Sequence, residues 1–273
     1  MGQAMWNNFD GHPYTREAFK ARVDLLEWKT WKPSFIMQHA TGSPTLSQWV
    51  NGGSAAQRIK NLQRFYEVEK HWQHGPHLFI APDFIWGFSN LLERGTHCSC
   101  CNGSSIGIEC VGYYSPGHDA WDTGDGAKVR DNFVFAAAVL HNKLGLRPDP
   151  LVPWQSGLHQ HSMCKADGHS ICPGPLVDRN DVARRISAKM AELRGVAPSM
   201  LQAGAPVIHG PAWLQASLNR LDADPMLAID GDLGPLTKAA LFAWQFKANL
   251  KPTGNDDPAT IAAIERALAA VSA

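Results

Sequence analysis

The first two thirds of the chain alternate between two hydrophobic patterns. Apolar residues recur at helical spacing in four segments: 14–30, 54–73, 127–144 and 178–194. Short apolar runs bounded by turn residues predict strands in four others: 34–40, 76–88 (a hairpin), 104–114 and 157–161. Because strands alternate with helices, we expect an α/β domain with a central mixed β-sheet flanked by helices.

The pattern changes near residue 194. Residues 195–207 are rich in Gly, Pro and Ala, which is typical of a linker. Beyond it, helical spacing predicts a small all-α domain with three helices: 212–221, 234–249 and 258–270. We therefore expect two domains, 1–194 and 208–273, joined by the linker 195–207.

Charge narrows the possible partners. The chain has 25 Lys and Arg against 25 Asp and Glu, so it lacks the basic excess that a grip on nucleic acid needs. No apolar run reaches the roughly 20 residues of a membrane helix, and we expect no stable membrane insertion. The N-terminus shows no basic start followed by an apolar run, which predicts synthesis in the cytoplasm without a signal peptide. Nothing in the sequence requires more than a monomer.

The six cysteines are too few for a disulfide framework in a chain of 273 residues. Their distribution is more typical of a reduced protein with one or two special cysteines. Cys98, Cys100 and Cys101 crowd one loop, where the C-S-C-C spacing is too tight to favour a tetrahedral metal site. We expect loop thiols there, or a disulfide formed after export.

Four residues near predicted strand ends and turns suit metal-assisted hydrolysis: His39, Glu109, His161 and Cys172. A catalytic zinc takes three protein ligands and keeps a fourth position open, and imidazole and thiolate both suit it. A nearby carboxylate can accept the proton of the attacking water. Spacing alone does not exclude structural roles for these residues. The histidines could be hydrogen-bonded residues of the core or surface, Glu109 a salt-bridged residue at the rim, and Cys172 a buried residue in a turn.

The order of these pieces resembles the zinc-dependent N-acetylmuramoyl-L-alanine amidases of the phage-lysozyme, AmpD and peptidoglycan-recognition type. The resemblance covers most of residues 30–178. Its motifs are F-I-M-Q-H-A-T (35–41), P-H-L-F-I-A-P-D (76–83), H-C-S-C-C-N-G-S-S-I-G-I-E (97–109), L-H-Q-H (158–161) and H-S-I-C-P-G (169–174).

The resemblance implies one zinc ion per chain, held by His39, His161 and Cys172. His159 is an alternative to His161, since residues two apart on a strand share a face. We favour His161 because it lies nearer the C-P-G turn, as in the family. Glu109 matches the glutamate that acts on the attacking water in AmpD-like members.

Other family positions are less well matched. Many members place a tyrosine before the hairpin, where this chain has Pro76, and a lysine two residues before the last ligand, where it has Ser170. His169 is then the nearest candidate to stabilise the oxyanion. The resemblance also implies that His97 contacts substrate in the groove.

The C-terminal part resembles the three-helix peptidoglycan-binding domain of wall hydrolases. Its most specific stretch is the turn D-G-D-L-G-P-L-T (230–237), followed by the helix A-L-F-A-W-Q (240–245). Trp244 in that helix is the predicted contact with peptidoglycan.

The pairing of these domains is typical of a phage endolysin or a bacterial wall amidase, and it implies an amidase that acts on bacterial peptidoglycan. We expect a phage or prophage endolysin that a holin releases to the wall. Two alternatives stay open: a recognition protein that binds without cutting, and a cytosolic amidase that recycles soluble muropeptides. Peptidase chemistry is disfavoured, because the H-x-x-x-x-x-x-D and E-x-H spacing of such enzymes is not evident.

Overall fold

The computed structural model describes residues 6, 9–168, 171–195 and 211–271. They divide into two compact units, within Met1–Ala197 and Pro198–Ala273. Apart from Gly195, the predicted linker 195–207 lies outside the described residues.

Strands of the first unit form one mixed sheet, as predicted. Within the described residues they are β1 (Pro13–Tyr14), β2 (Phe35–Ala40), β3 (Leu78–Ile80), β4 (Ile85–Gly87), β5 (Ser105–Cys110) and β6 (Leu158–Gln160). Their order in the sheet is β1-β4-β3-β5-β2-β6. The strand β2 runs parallel to β5 and β6, and β3 runs parallel to β5, whereas β4 pairs antiparallel with β3 and β1. Four neighbouring strands therefore end at the same edge of the sheet.

Helices of this unit begin and end close to the predicted positions, with some ends shorter. They are α1 (Arg16–Asp24), α2 (Leu46–Asn51), α3 (Ala55–Arg64), α4 (Gly124–Leu144) and α5 (Arg179–Leu193), and a π-helical turn at Phe65–Glu69 continues α3. The short α2 was not predicted; its start is fixed by Thr45 and Gln48, which form a capping box. Among the helices of the described residues, none combines the length and apolar character that crossing a bilayer requires.

The two faces of the sheet are covered differently. Ile36, Ile106 and Ile108 point from β2 and β5 into the main core, which includes Phe133 of α4. Burying each such side chain contributes about 1.5–3 kcal/mol to the free energy of unfolding. The alternate residues of β2 face the other way, where Phe35 and Met37 form a separate cluster with Cys98, Cys101 and Cys164. The loop of Cys98–Cys101 therefore covers part of the face that also carries His39.

Within residues 211–271 the second unit forms the three predicted helices: α6 (Pro211–Arg220), α7 (Pro235–Lys247) and α8 (Pro258–Val271). Their core is formed by Leu214, Leu218, Leu227, Leu241, Ile261 and Ile264. The buried amide of Gln215 donates to Asp230 Oδ1 (2.6 Å) and to the backbone oxygen of Asp232 (2.9 Å), and it accepts from the Gly231 N–H (2.9 Å). The D-G-D turn thus satisfies the hydrogen bonds of a buried side chain, which explains its place in the motif.

Candidate metal centre and active site

Three strand ends bring the predicted site residues together. His39 is the partner of Glu109 in the parallel pairing of β2 with β5, so both side chains share one face. His161 follows β6 directly, at the same edge. Because parallel strands end together, residues 39, 109 and 161 meet although long stretches of chain separate them.

The three predicted zinc ligands form one cluster. A ring nitrogen of His39, a ring nitrogen of His161 and the Sγ of Cys172 all lie within 4.8 Å of one another. The Ala40 N–H points to Cys172 Sγ at 3.4 Å, which ties the C-P-G turn to the end of β2. Two imidazoles and one thiol, with a groove in front, fit a catalytic zinc with an open fourth position. Their role as zinc ligands stays a prediction.

His39 is oriented by His97. The Nε2 of His39 lies 3.1 Å from His97 Nδ1, and His97 Nε2 lies 3.3 Å from the backbone oxygen of Ser105. Burial lowers the pKa of His97 to about 3, so its ring is neutral. The Ser105 carbonyl can only accept, so His97 Nε2 carries the proton and donates to it. A neutral imidazole has a single N–H, so His97 Nδ1 accepts a hydrogen bond from the Nε2–H of His39. The lone pair of His39 is then on Nδ1, which lies 4.0 Å from Glu109 Oε1.

Gly107 makes room for this arrangement. A Cβ at position 107 would lie 2.2 Å from His97 Cγ and 2.4 Å from its Cδ2. No L side chain can occupy that space unless the imidazole moves. The glycine in the middle of a buried strand is therefore required by the close approach of the His97 ring.

We expect Gly107→Ala to lower the free energy of unfolding by about 1–3 kcal/mol, because the methyl group must displace the packed His97 ring. Urea unfolding of the metal-free protein measures this. Gly103→Ala is the matched control, since nothing lies within 4 Å of the Cβ it would add. In a His97→Ala background the cost of Gly107→Ala should largely disappear, and an equal cost in both backgrounds would contradict the explanation.

His161 is held by Asp167: its Nε2 lies 2.9 Å from Asp167 Oδ2. His159 is directed elsewhere: its ring stacks on Phe35 at 4.0 Å between centroids. Its Nε2 accepts from the Trp154 N–H (2.8 Å), and its Nδ1 lies 3.1 Å from the backbone oxygen of Gly157. The strand ends at Gln160 and the chain turns, so His161 joins the ligand cluster and His159 does not.

Glu109 is largely buried, and one of its two carboxyl oxygens has no hydrogen-bond partner to offset the loss of water. Its Oε2 makes no hydrogen bond, and its side chain is 12% exposed. Burial raises the pKa of this carboxyl to about 8. A carboxyl group with a raised pKa, 4.0 Å from a predicted ligand, is suited to exchange a proton with a water in the groove.

A groove of about 800 Å³ opens in front of these residues. Besides the ligand cluster and Glu109, its lining includes Arg58, Lys70, Tyr66, Trp72 and Pro76. The rings of Tyr66 and Trp72 stack at 5.2 Å. Burial, and then the charges of Glu109 and Cys172, hold the pKa of Tyr66 well above its usual range, so its phenol stays protonated beside them.

Cys100 and Cys164 form a disulfide, whereas Cys98, Cys101, Cys110 and Cys172 are free thiols. The expectation of a reduced protein is therefore wrong for this pair. The alternative, a disulfide formed by the loop of Cys98–Cys101, is the one that the structure shows. Cys164 could not be foreseen as the partner, since 64 residues separate it from Cys100.

Removing this disulfide should lower the free energy of unfolding by about 4 kcal/mol, because the cross-link constrains a long loop in the unfolded chain. Urea unfolding of metal-free Cys100→Ser measures the loss. Cys100 is exposed, so the substitution itself costs little. Reduced wild-type protein should match the variant, and a reduced wild type as stable as the oxidised one would contradict the estimate.

The remaining predicted residues are placed as follows. His97 lies in the wall of the groove, but both its ring nitrogens face protein groups, which makes it a neighbour that orients His39. His169 and Ser170 lie outside the described residues. Trp244 packs, partly buried, against the core of the second unit. Substrate contacts of His97 and Trp244 stay predictions.

Sequence reasoning missed Tyr66 and Asp167 as parts of this site. Tyr66 was counted only as an apolar position of a helix, yet it supplies the groove with a phenol where Pro76 replaces the tyrosine of the family pattern. Asp167 lies between two predicted ligands, and no periodicity marks it. A single aspartate in the stretch from His161 to Cys172 was the one available signal.

This arrangement is suited to metal-assisted hydrolysis. The N-acetylmuramoyl-L-alanine amidase family model matches residues 29–175, which is more than half of the chain. The chain belongs to this family. A peptidoglycan-binding domain model matches residues 210–264, so the protein is a peptidoglycan amidase with a domain for its polymeric substrate.

Solved structures of similar proteins share low sequence identity with the chain. The endolysin N-acetylmuramoyl-L-alanine amidase LysCS of Clostridium intestinale is 16% identical, covering 59% of this chain and 91% of its own, with a TM-score of 0.42. Drosophila PGRP-LB is 18% identical, covering 59% and 83%, with a TM-score of 0.42. A mutant endolysin from Bacillus subtilis is 20% identical, covering 59% and 86%, with a TM-score of 0.39. Curated proteins give no match to the chain.

Proposed function

We propose that the protein is a zinc-dependent endolysin that hydrolyses the amide bond between N-acetylmuramic acid and L-alanine. One observation carries the proposal: His39, His161 and Cys172 bring their ligand atoms within 4.8 Å at a groove that also contains Glu109. These three residues would hold zinc, which would act as a Lewis acid towards the lactyl carbonyl and would lower the pKa of water towards neutrality.

The residues of the chain supply the remaining steps. Glu109 accepts the proton of the attacking water and returns it to the leaving amine of L-alanine. The protonated phenol of Tyr66 is available to donate a hydrogen bond to the oxygen that becomes negative. His97 keeps the imidazole of His39 in place. The cationic side chains of Arg58 and Lys70, which line the groove, favour the carboxylates of a stem peptide.

The second unit has a separate task in this proposal. A wall-binding domain keeps the catalytic unit near polymeric substrate and so raises its local concentration without changing the chemistry. For an endolysin made in the cytoplasm, access to the wall follows a holin lesion.

The test uses purified full-length protein on intact sacculi and on soluble muropeptides. We expect one zinc per chain, loss of turbidity of the sacculi and newly freed L-alanine amino groups, with no new reducing sugar ends. A zinc-free protein that binds sacculi without cutting them would replace this proposal with the recognition-protein alternative. Cleavage confined to soluble muropeptides would replace it with the recycling amidase.

A further inference from the structure

Asp167 makes a direct contact with a predicted zinc ligand from a segment that the proposed mechanism does not otherwise use. It lies in the turn that follows His161, and its Oδ2 is 2.9 Å from His161 Nε2. The His161 side chain is 7% exposed and that of Asp167 is 16% exposed. The contact is therefore largely shielded from water, where a charge-assisted hydrogen bond is stronger than at the surface.

This contact selects which nitrogen of His161 carries the proton. A carboxylate can only accept hydrogen bonds, so Nε2 must donate. The neutral imidazole then has its lone pair on Nδ1, which is the nitrogen that would coordinate a metal. His39 has the same arrangement, with Nε2–H donated to His97.

Asp167 is itself held in place by a neighbouring loop. Its Oδ2 accepts from the Ser99 N–H at 2.9 Å, and its Oδ1 accepts from the Ser99 hydroxyl. Although partial burial opposes it, hydrogen bonds from Ser99 and His161 hold the pKa of Asp167 at about 2. The disulfide between Cys100 and Cys164 joins the same two segments. Hydrogen bonds from Ser99 and the nearby disulfide thus hold the carboxylate in place.

We propose that Asp167 is a positioning residue that fixes the tautomer and orientation of His161 for zinc, with Ser99 and the Cys100–Cys164 disulfide holding the carboxylate. The inference rests on the proposed function, in which His161 is a zinc ligand. Carboxylate partners of metal-binding histidines typically change metal affinity by about 10–100-fold when they are removed.

A competing arrangement uses the same atoms differently. The Sγ of Cys98, a nitrogen of His161 and a carboxylate oxygen of Asp167 also lie within 4.8 Å of one another. These three could bind a metal of their own, with Asp167 as a ligand rather than as a partner of His161. His161 has a single lone pair and so serves one site at a time. Loss of zinc from Cys172→Ser or from Cys98→Ser separates the two arrangements.

The experiment measures zinc affinity by competition with a chromophoric chelator, together with urea unfolding of each metal-free protein. The variants are Asp167→Ala, which removes the contact, and Asp167→Asn, which keeps an acceptor without the charge. Asp149→Asn is the matched control: its carboxylate pairs with Arg179 at 3.0 Å, is 24% exposed and does not touch the ligand cluster. The absorption spectrum of the Co²⁺-substituted proteins reports the ligand geometry directly.

We expect wild type and Asp149→Asn to bind one zinc with equal affinity. Asp167→Ala should bind zinc about 10–100-fold more weakly, Asp167→Asn about 10-fold more weakly, and both should have altered Co²⁺ spectra. Unchanged zinc affinity in Asp167→Ala, even with a less stable metal-free protein, would reduce Asp167 to a structural role and overturn the inference. Zinc retained in Cys172→Ser but lost from Cys98→Ser would overturn it in favour of the competing site. A wild type without zinc would overturn the proposed function as well.

Discussion

Cys172→Ser is expected to remove zinc from the protein and to slow amide hydrolysis by about a thousandfold or more. The substitution leaves two imidazoles and an alcohol that stays protonated near neutral pH, which is a poor zinc ligand set. Loss of the metal removes several kcal/mol of transition-state stabilisation, and about 4 kcal/mol corresponds to a thousandfold in rate. Metal analysis and the release of L-alanine amino groups from sacculi measure the two effects.

Cys110→Ser is the control for this prediction. Cys110 is likewise a free thiol. It follows Glu109 in β5, but it is buried in the main core on the other side of the sheet. We expect this variant to retain one zinc and most of the activity. Full zinc and full activity in Cys172→Ser would rule out the thiol as a ligand.

Glu109→Gln should retain zinc but lose about 10²–10⁴-fold in the rate of hydrolysis, because an amide cannot accept the proton of the attacking water. The zinc content of variant and wild type is measured together with the rate. If the two proteins contain equal zinc, the slower rate comes from loss of the general base and not from loss of the metal. A variant that keeps wild-type activity would assign the base to another group.

The same substitution should change how the stability of the metal-free protein depends on pH. The native state keeps the Glu109 proton to about pH 8, whereas the unfolded chain releases it near pH 4.5. The favourable contribution of the protonated carboxyl is thus complete below pH 4.5 and is lost as pH rises through 8. Near pH 8.5, Glu109→Gln should be more stable than wild type by about 3–5 kcal/mol, with little difference at pH 4.

Urea unfolding at the two pH values measures this difference. Zinc should reduce it, because a nearby cation favours the carboxylate and lowers the pKa of Glu109. An equal difference at both pH values would show that Glu109 is not protonated by burial in the native state.

The sequence by itself determined the elements and most of the candidate chemistry. Hydrophobic periodicity is a local property, and it located β2, β5 and α4 to within a few residues at most ends. Gly145 ends α4 with a φ of 68°, a conformation that glycine adopts readily. The order of His39, Glu109, His161 and the C-P-G turn pointed to one family, and parallel strands explain why such distant residues meet.

Only the tertiary structure decided how these side chains are held. The contact of His97 with His39 depends on Gly107 under the ring, and that of Asp167 with His161 depends on Ser99 in another loop. The pairing of Cys100 with Cys164 likewise joins distant segments. None of these contacts can be recognised from the periodicity of the sequence, because each joins single side chains that only the fold brings together. Local spacing predicts which face a residue occupies, whereas its partners are fixed by how the loops pack over that face.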